Sequence, residues 1–147
     1  MKLRTRSNAV VAALIAMMVV LTACGTSSKG AADPPKTVNL EASDAGRTVS
    51  LRPSDTLVVT LESNASTGFA WALTGKPDAA ILELVSSDYV APTATATPML
   101  VGAPGEEVWR FRATGEGSTT LELTYRRASG ETAGQPFRVT VQVASGG

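Results

Sequence analysis

The sequence predicts an all-β domain built as an antiparallel β-sandwich of about seven to eight strands. From Lys36 onward, apolar residues recur mostly at every second position, which is the spacing of strands, whereas helices repeat every ~3.6 residues. Short sequences rich in Gly, Pro and Asp, such as "SDAG", "RPSD" and "TGEG", separate the apolar runs and favour turns. No long segment has helical spacing, so a sandwich is favoured over α/β folds. An up-and-down barrel is the competing architecture.

Each of the first four predicted strands carries its apolar residues on one face. In chain order, these strands cover residues 37–42, 47–52, 56–63 and 69–75. The residues that define the faces are Val38 and Leu40, Val49 and Leu51, Leu57 with Val59 and Leu61, and Phe69 with Trp71 and Leu73. Because Phe69 and Trp71 share the face of Leu73, we expect both aromatic side chains in the core.

The second half of the domain continues the alternation. The next four predicted strands cover residues 80–86, 106–113, 118–126 and 136–143. Their inward residues are Trp109 with Phe111, Leu121 with Leu123 and Tyr125, and Phe137 with Val139, Val141 and Val143. The segment "AAILELVSS" is ambiguous, because its apolar residues also fit one helical turn. We assign it to a strand.

The first 23 residues have the pattern of a secretory signal peptide. Three basic residues are followed by an apolar run from Ala9 to Leu21, which is shorter than the ~20 residues that span a bilayer. The run ends in Leu21-Thr22-Ala23-Cys24, which resembles the bacterial lipobox. Cys24 is therefore predicted to be the lipidated first residue of the mature protein. The alternative is an ordinary signal peptide that leaves a free thiol, which exported proteins usually avoid because it is reactive.

The predicted mature protein consists of a tether and one domain. Residues 24–35 are small, polar and end in two prolines, which is typical of a flexible tether, and residues 36–147 are long enough for a single core. Loss of the leader lowers the count of Lys and Arg from 13 to 10, against 13 Asp and Glu. No basic face is expected, so nucleic acid is not a predicted partner. We expect an exported monomer, anchored by lipid to the bacterial cell envelope at the outer face of the cell membrane or in the periplasm.

The sequence lacks the residues that most hydrolytic chemistry needs. It contains no histidine, which removes Ser-His-Asp and Cys-His nucleophiles and histidine metal sites. The single cysteine is Cys24. Glu106 and Glu107 are adjacent, but neighbouring residues on a strand point to opposite faces. The sequence therefore predicts a protein that is not an enzyme and needs no cofactor or metal.

Three connections between the predicted strands share one end of the sandwich. Successive strands that run in opposite directions place alternate connections at the same pole, here residues 64–68, 87–105 and 127–135, named below the first, second and third loops. Functional loops cluster in this way on rigid sandwiches. On its own, the first loop is also compatible with a plain turn, since bends favour Asn64 and Ser66 for their hydrogen bonds to the backbone and Gly68 for its positive φ.

With Asn64, Thr67 and Gly68 followed by Phe69 and Trp71, the first loop resembles that of the chagasin family, which inhibits papain-like cysteine proteases. The resemblance extends from about Val38 to Val143. The family pattern is Asn-Pro-Thr-Thr-Gly-Tyr/Phe, followed shortly by Trp. The matching residues are Asn64, Thr67, Gly68, Phe69 and Trp71, with Ser66 as a conservative change and Ala65 in place of the proline.

The other two loops carry shorter parts of the same pattern. A Gly-x-x-Gly element of the second loop is matched by Gly102 and Gly105. The third loop of the family has Arg-Pro-Trp after a tyrosine. Here Tyr125 and Arg127 fit, while Ala128 and Ser129 replace the proline and the tryptophan.

The resemblance implies an immunoglobulin-like sandwich whose three loops form a wedge that blocks the protease cleft without covalent chemistry. Thr67 would lie closest to the catalytic Cys-His pair, and the other loops would straddle the cleft walls. The implied protease-binding residues are Asn64, Ala65, Ser66, Thr67, Gly68, Phe69, Gly102, Ala103, Pro104, Gly105, Arg126 and Arg127. Arg127 is interpreted either as a contact to an acidic cleft wall or as a solvated loop charge.

The third loop also raises an alternative function. Tryptophan is a favoured interface anchor, and Ser129 stands where the family has one. The sequence is therefore compatible with weak or narrow inhibition, or with a non-inhibitory binding or assembly lipoprotein of the cell envelope that keeps the same fold.

Overall fold

A computed structural model describes residues 33–92 and 103–145. The predictions for the leader, Cys24, residues 24–32 of the tether and Gly102 lie outside these residues. The described chain forms eight strands: β1 (Thr37–Leu40), β2 (Thr48–Leu51), β3 (Thr56–Ser63), β4 (Phe69–Gly75), β5 (Leu82–Val90), β6 (Gly105–Ala113), β7 (Gly117–Arg127) and β8 (Phe137–Val143). No helix in the described part of the chain is long and apolar enough to cross a membrane.

The strands form two separate four-stranded sheets, which confirms the sandwich and rules out the closed barrel. The first sheet has the order β1-β3-β6-β5, and the second has the order β2-β8-β7-β4. Two pairings, β1 with β3 and β2 with β8, are parallel, and the others are antiparallel. The chain moves to the opposite sheet and back between β1 and β3, which makes that pair parallel, and β2 is parallel to β8 because an odd number of strands lies between them in the chain. Strand direction still alternates along the sequence.

The inward faces of the two sheets supply one hydrophobic core. Leu57, Val59, Phe111, Leu121, Leu123 and Val141 have no exposed surface or almost none. Full burial of such a side chain contributes roughly 1.5–3 kcal/mol. The alternating residues predicted for β1, β2, β3, β6 and β8 are those that pack in this core.

The strand boundaries agree with the predictions to within two residues, except at the end of β5. This strand continues to Val90, beyond the predicted end at residue 86. It is an edge strand bonded only to β6, and its pairing shifts register between Leu84 and Ser86. The ambiguous segment is therefore a strand. Its apolar residues are poor guides to its extent because several of them, such as Val85 at 52%, are exposed.

Asp55 ties the strands together at the pole opposite the three loops. Its carboxylate is buried and accepts hydrogen bonds from the backbone N–H groups of Lys36 (2.9 Å) and Arg52 (2.8 Å). Burial raises the pKa of Asp55, but these hydrogen bonds and the nearby positive charges outweigh it, so the pKa lies below its ordinary value. The start of β1 is thus fixed to the turn between β2 and β3.

Candidate functional site

The register of both sheets brings the three loops to one pole. In the first sheet, Ser63 at the end of β3 pairs with Gly105, and Val90 at the end of β5 pairs with Glu106. In the second sheet, Phe69 at the start of β4 pairs with Arg127 at the end of β7. The first loop joins β3 of the first sheet to β4 of the second sheet, so it lies at the ends of both sheets. The third loop and the described ends of the second loop therefore lie at the same pole as the first loop, as the alternation of strand direction predicted.

The first loop is a compact turn that is closed by its own side chains. Residues Ala65–Thr67 form a turn of 3-10 helix. The side-chain oxygen of Asn64 accepts hydrogen bonds from the backbone N–H of Ser66 (3.1 Å) and from its hydroxyl (2.6 Å). The Thr67 hydroxyl donates to the Asn64 carbonyl (2.7 Å). Both hydroxyls are thus used inside the loop, where they fix its shape.

Gly68 ends this turn in a left-handed conformation. Its φ of 76° and ψ of 7° are values that β-branched residues rarely adopt. This confirms the positive φ expected from the loop sequence. Residues 65–68 are all exposed, so the tip of the loop presents small side chains and backbone to the solvent.

Three aromatic side chains, Phe69, Trp71 and Tyr125, form a row directly beneath the first loop. The ring of Tyr125 lies 5.3 Å from that of Phe69 and 5.2 Å from that of Trp71, measured between centroids. The Tyr125 hydroxyl accepts a hydrogen bond from the backbone N–H of Asn64 (2.9 Å), and Trp71 Nε1 donates to the Glu62 carbonyl (2.9 Å). These two hydrogen bonds hold the chain where it enters the turn.

The prediction that Phe69 and Trp71 are core residues is wrong in part. Both lie on the inward face with Leu73, as expected, but both are only half-buried. Trp71 packs against the edge of the core, whereas Phe69 lies outside it. At this pole the buried core does not extend to the start of β4. The first inward residues of β4 lie beneath the first loop instead and support it.

Arg127 joins the third loop to the first. Its guanidinium lies over the ring of Phe69, with Cζ 4.4 Å from the centroid, in a cation–π contact. Its Nε donates to the carbonyl of Thr67 (3.2 Å), and its terminal nitrogen pairs with Glu131 (2.7 Å). These contacts are internal to the protein, and the contact of Arg127 to a cleft wall stays a prediction. Arg126 points from the other face of β7 and is exposed.

Glu107 joins the two sheets at the same pole. One oxygen of its carboxylate accepts hydrogen bonds from the Ser63 hydroxyl (2.7 Å) and from the backbone N–H of Trp71 (3.0 Å). Glu106 is exposed on the opposite face, as predicted. Sequence reasoning missed the role of Glu107. The position of Glu107 in the sequence indicates an inward side chain, because residues at every second position of a strand share one face and Trp109 and Phe111 point inward.

The structure describes residues 87–92 and 103–105 of the second loop, of which residues 87–90 extend β5 and Gly105 begins β6. Gly105 is buried, and a Cβ there would overlap the carbonyl of Val90 and lie 2.6 Å from the Tyr89 hydroxyl. Glycine is thus required where β5 and β6 approach closely. An open pocket of about 300 Å³ lies between this strand end and the first loop, lined by Ala65, Phe69, Tyr89 and Glu107 among others. Within residues 33–92 and 103–145, no group of His, Cys, Asp or Glu could hold a metal ion.

Comparison with known proteins agrees with this geometry. Residues 50–143 match the family described as chagasin family peptidase inhibitor I42, a span that includes all three loops. The cysteine protease inhibitor EhICP2 from Entamoeba histolytica has the same fold, with a TM-score of 0.65 and 20% identity over 76% of this chain and 98% of that chain.

Two further solved structures share the sandwich. PbICP-C, solved in complex with falcipain-2, has a TM-score of 0.53 and 18% identity over 74% of this chain and 99% of its own. Amebosin has a TM-score of 0.57 and 21% identity over 76% of this chain and 99% of its own. No curated protein sequence matches the chain.

Proposed function

Because the chain belongs to the chagasin family of peptidase inhibitors, we propose that it blocks papain-like cysteine proteases by inserting the first loop into the catalytic cleft. The family consists of inhibitors and not of enzymes. The observation that carries the proposal is the first loop itself, which is exposed, closed by internal hydrogen bonds and joined to the third loop through Arg127.

The first loop has the properties that a non-covalent wedge needs. Ala65, Ser66, Thr67 and Gly68 are small, so the tip is narrow enough to enter a cleft. Its hydrogen bonds to Asn64 and the aromatic row beneath it order the loop before binding, which lowers the entropy lost on association. On this proposal, Thr67 is the residue closest to the catalytic cysteine, and binding needs no reaction with it.

The second and third loops flank the tip on this proposal. PbICP-C, which has the same fold, was solved in complex with falcipain-2. In this chain the third loop has Ala128 and Ser129, both exposed, in place of a proline and a large aromatic anchor. Such an anchor typically contributes ~2 kcal/mol or more. We therefore expect weaker or narrower inhibition than a complete third loop provides.

The direct test is titration of a soluble fragment, residues 30–147, against papain and a cathepsin. We expect reversible, dose-dependent inhibition at micromolar concentrations or below, and no effect on trypsin, whose catalytic nucleophile is a serine. Full protease activity at all concentrations would instead favour the alternative, a non-inhibitory binding or assembly module of the cell envelope. The substitution of both anchor positions in the third loop is the observation that keeps this alternative open.

We also propose that Cys24 carries the lipid that anchors the protein to the cell envelope. The support is the sequence Leu21-Thr22-Ala23-Cys24 after a basic and apolar leader. A single acyl chain binds membranes only reversibly, so stable anchoring requires at least two chains at this residue.

Replacing Cys24 with serine should abolish the anchor. We expect Cys24→Ser to appear in the soluble or secreted fraction, because serine lacks the thiol that accepts the lipid, while the parent partitions into detergent with the membranes. Fractionation followed by detergent phase separation measures this. Retention of Cys24→Ser in the detergent phase would contradict lipidation, and the residue would then be the free thiol of an ordinary exported protein.

A further inference from the structure

We propose that Arg127 is a positioning residue that holds the first loop in its inhibitory shape, so that the third loop acts on the protease through the first loop. The inference rests on the proposed function, and it gives a role to a loop that lacks its expected anchors. It assigns the arginine an internal task instead of a contact to the enzyme.

The contacts of Arg127 leave it poorly placed to reach outward. The face of its guanidinium covers the Phe69 ring, Nε is bonded to the Thr67 carbonyl, and a terminal nitrogen is bonded to Glu131. A movement toward a protease wall would break all three contacts together. The planar guanidinium suits this use, because it offers a stacking face and several directed donors at the same time.

Arg127 contacts the part of the first loop whose backbone has the greatest conformational freedom. The carbonyl of Thr67 directly precedes Gly68, whose backbone has the widest range of conformations of any residue. Arg127 Nε is also the nearest atom to the position that a Cβ on Gly68 would occupy, at 4.0 Å. The arginine therefore covers the hinge of the turn and fixes the orientation of its last peptide.

Glu131 holds the arginine from the other side. The backbone N–H of Arg127 donates to the Glu131 carbonyl (2.8 Å), and the Gly130 N–H donates to the Arg127 carbonyl (3.0 Å). Together with the side-chain pair, these bonds close residues 127–131 into a turn. The pair is exposed, at 43% and 57% for the two side chains, so its loss should change global stability very little.

The test compares Arg127→Ala, Arg127→Lys and Glu131→Gln in the full-length protein. Inhibition of papain and amide hydrogen exchange at Thr67 and Gly68 are measured for each, because both amides are bonded within the loop. We expect Arg127→Ala and Arg127→Lys to weaken inhibition by about tenfold and to accelerate exchange at both amides by a similar factor, with an unchanged melting temperature. Lysine should not rescue, since an ammonium cannot stack and bond in the same geometry.

Glu131→Gln should weaken inhibition by roughly threefold, and the double variant with Arg127→Ala should be no worse than Arg127→Ala alone. The matched control is Arg110→Ala. Arg110 forms an equally exposed pair with Asp88, at 45% and 59% exposure and 3.0 Å, across strands β6 and β5 and outside the first and third loops. This control should leave inhibition and loop exchange unchanged.

Three results would overturn the proposal. Full activity of Arg127→Lys with parental exchange would indicate a simple charge contact to the enzyme. Tighter inhibition by Glu131→Gln would indicate that the arginine must be released to bind. Unchanged exchange in Arg127→Ala would show that the loop needs no brace. If the parent protein inhibits no papain-like enzyme, the proposed function fails, but the exchange measurements still decide the role of Arg127.

Discussion

Thr67→Arg is expected to raise the inhibition constant for a papain-like protease by about a hundredfold, which corresponds to about 2.8 kcal/mol of binding free energy. Thr67 lies at the exposed tip of the first loop, where the proposed wedge is deepest. Arginine there adds bulk and charge that a narrow catalytic cleft cannot accommodate. Enzyme inhibition assays at several substrate concentrations give the constant directly.

Stability separates this effect from unfolding. An exposed substitution usually changes the free energy of unfolding by only about ±0.5 kcal/mol, so the melting temperature should stay within roughly 3 °C of the parent. Thr67→Ser is the matched control, because it keeps the hydroxyl that donates to the Asn64 carbonyl. It should inhibit nearly as well as the parent. Parental inhibition by Thr67→Arg would show that the first loop is a plain turn, and the envelope binding module would become the better hypothesis.

Gly68→Val is expected to reduce both inhibition and stability. At a φ of 76°, a β-branched side chain is strained by about 1–3 kcal/mol. The strain should lower the melting temperature by roughly 5–10 °C. The new Cβ would lie 4.0 Å from Arg127 Nε, an ordinary van der Waals distance, so the loss of stability comes from the backbone conformation. We expect a loss of inhibition at least as large as that of Thr67→Arg, measured by the same assay together with thermal unfolding.

Gly68→Asn is the control for this prediction, because asparagine tolerates the left-handed region better than other residues with a side chain. It should keep most of the stability and part of the inhibition. If Gly68→Val melts at the parental temperature, the loop relaxes without strain, and the role assigned to the glycine conformation is incorrect.

The strands of this protein were predictable because the core requires period-two burial. In β8 every inward residue is apolar and buried, and in β3 only the last inward residue, Ser63, is polar, so the alternation fixes both the face and the length. In the edge strand β5, only one side bonds to a neighbour, and Ser86, Ser87 and Asp88 carry no apolar alternation. Its extent depends on backbone pairing with β6, which a single sequence does not reveal.

The sequence predicts at which end of the sandwich the loops lie, but not the side-chain contacts between them. The alternation of strand direction brings the loops together, and the residues of the first loop indicate a left-handed glycine. The contact of Arg127 with Phe69 depends on the register between β4 and β7, which pairs these two positions across the sheet. Periodicity also does not show where the opposite sheet stops covering a face. For that reason Phe69 was expected in the core and is found beneath the loop.

The parallel pairing of β2 with β8 has a consequence for the order of folding. It joins Thr48 to Thr140, so the second sheet gains its edge only when the last strand of the chain is present. Sandwiches rich in such distant pairings fold in roughly milliseconds to seconds, because the chain loses the entropy of closing a long loop before the stabilising contacts form. In a chain that crosses a membrane with its N-terminus first, β2 emerges before β8. Its unpaired backbone N–H and C=O groups can then form hydrogen bonds with other chains. If the protein is exported as proposed, productive folding follows translocation, and during that interval the emerging polypeptide depends on dilution or on chaperones for its protection from aggregation.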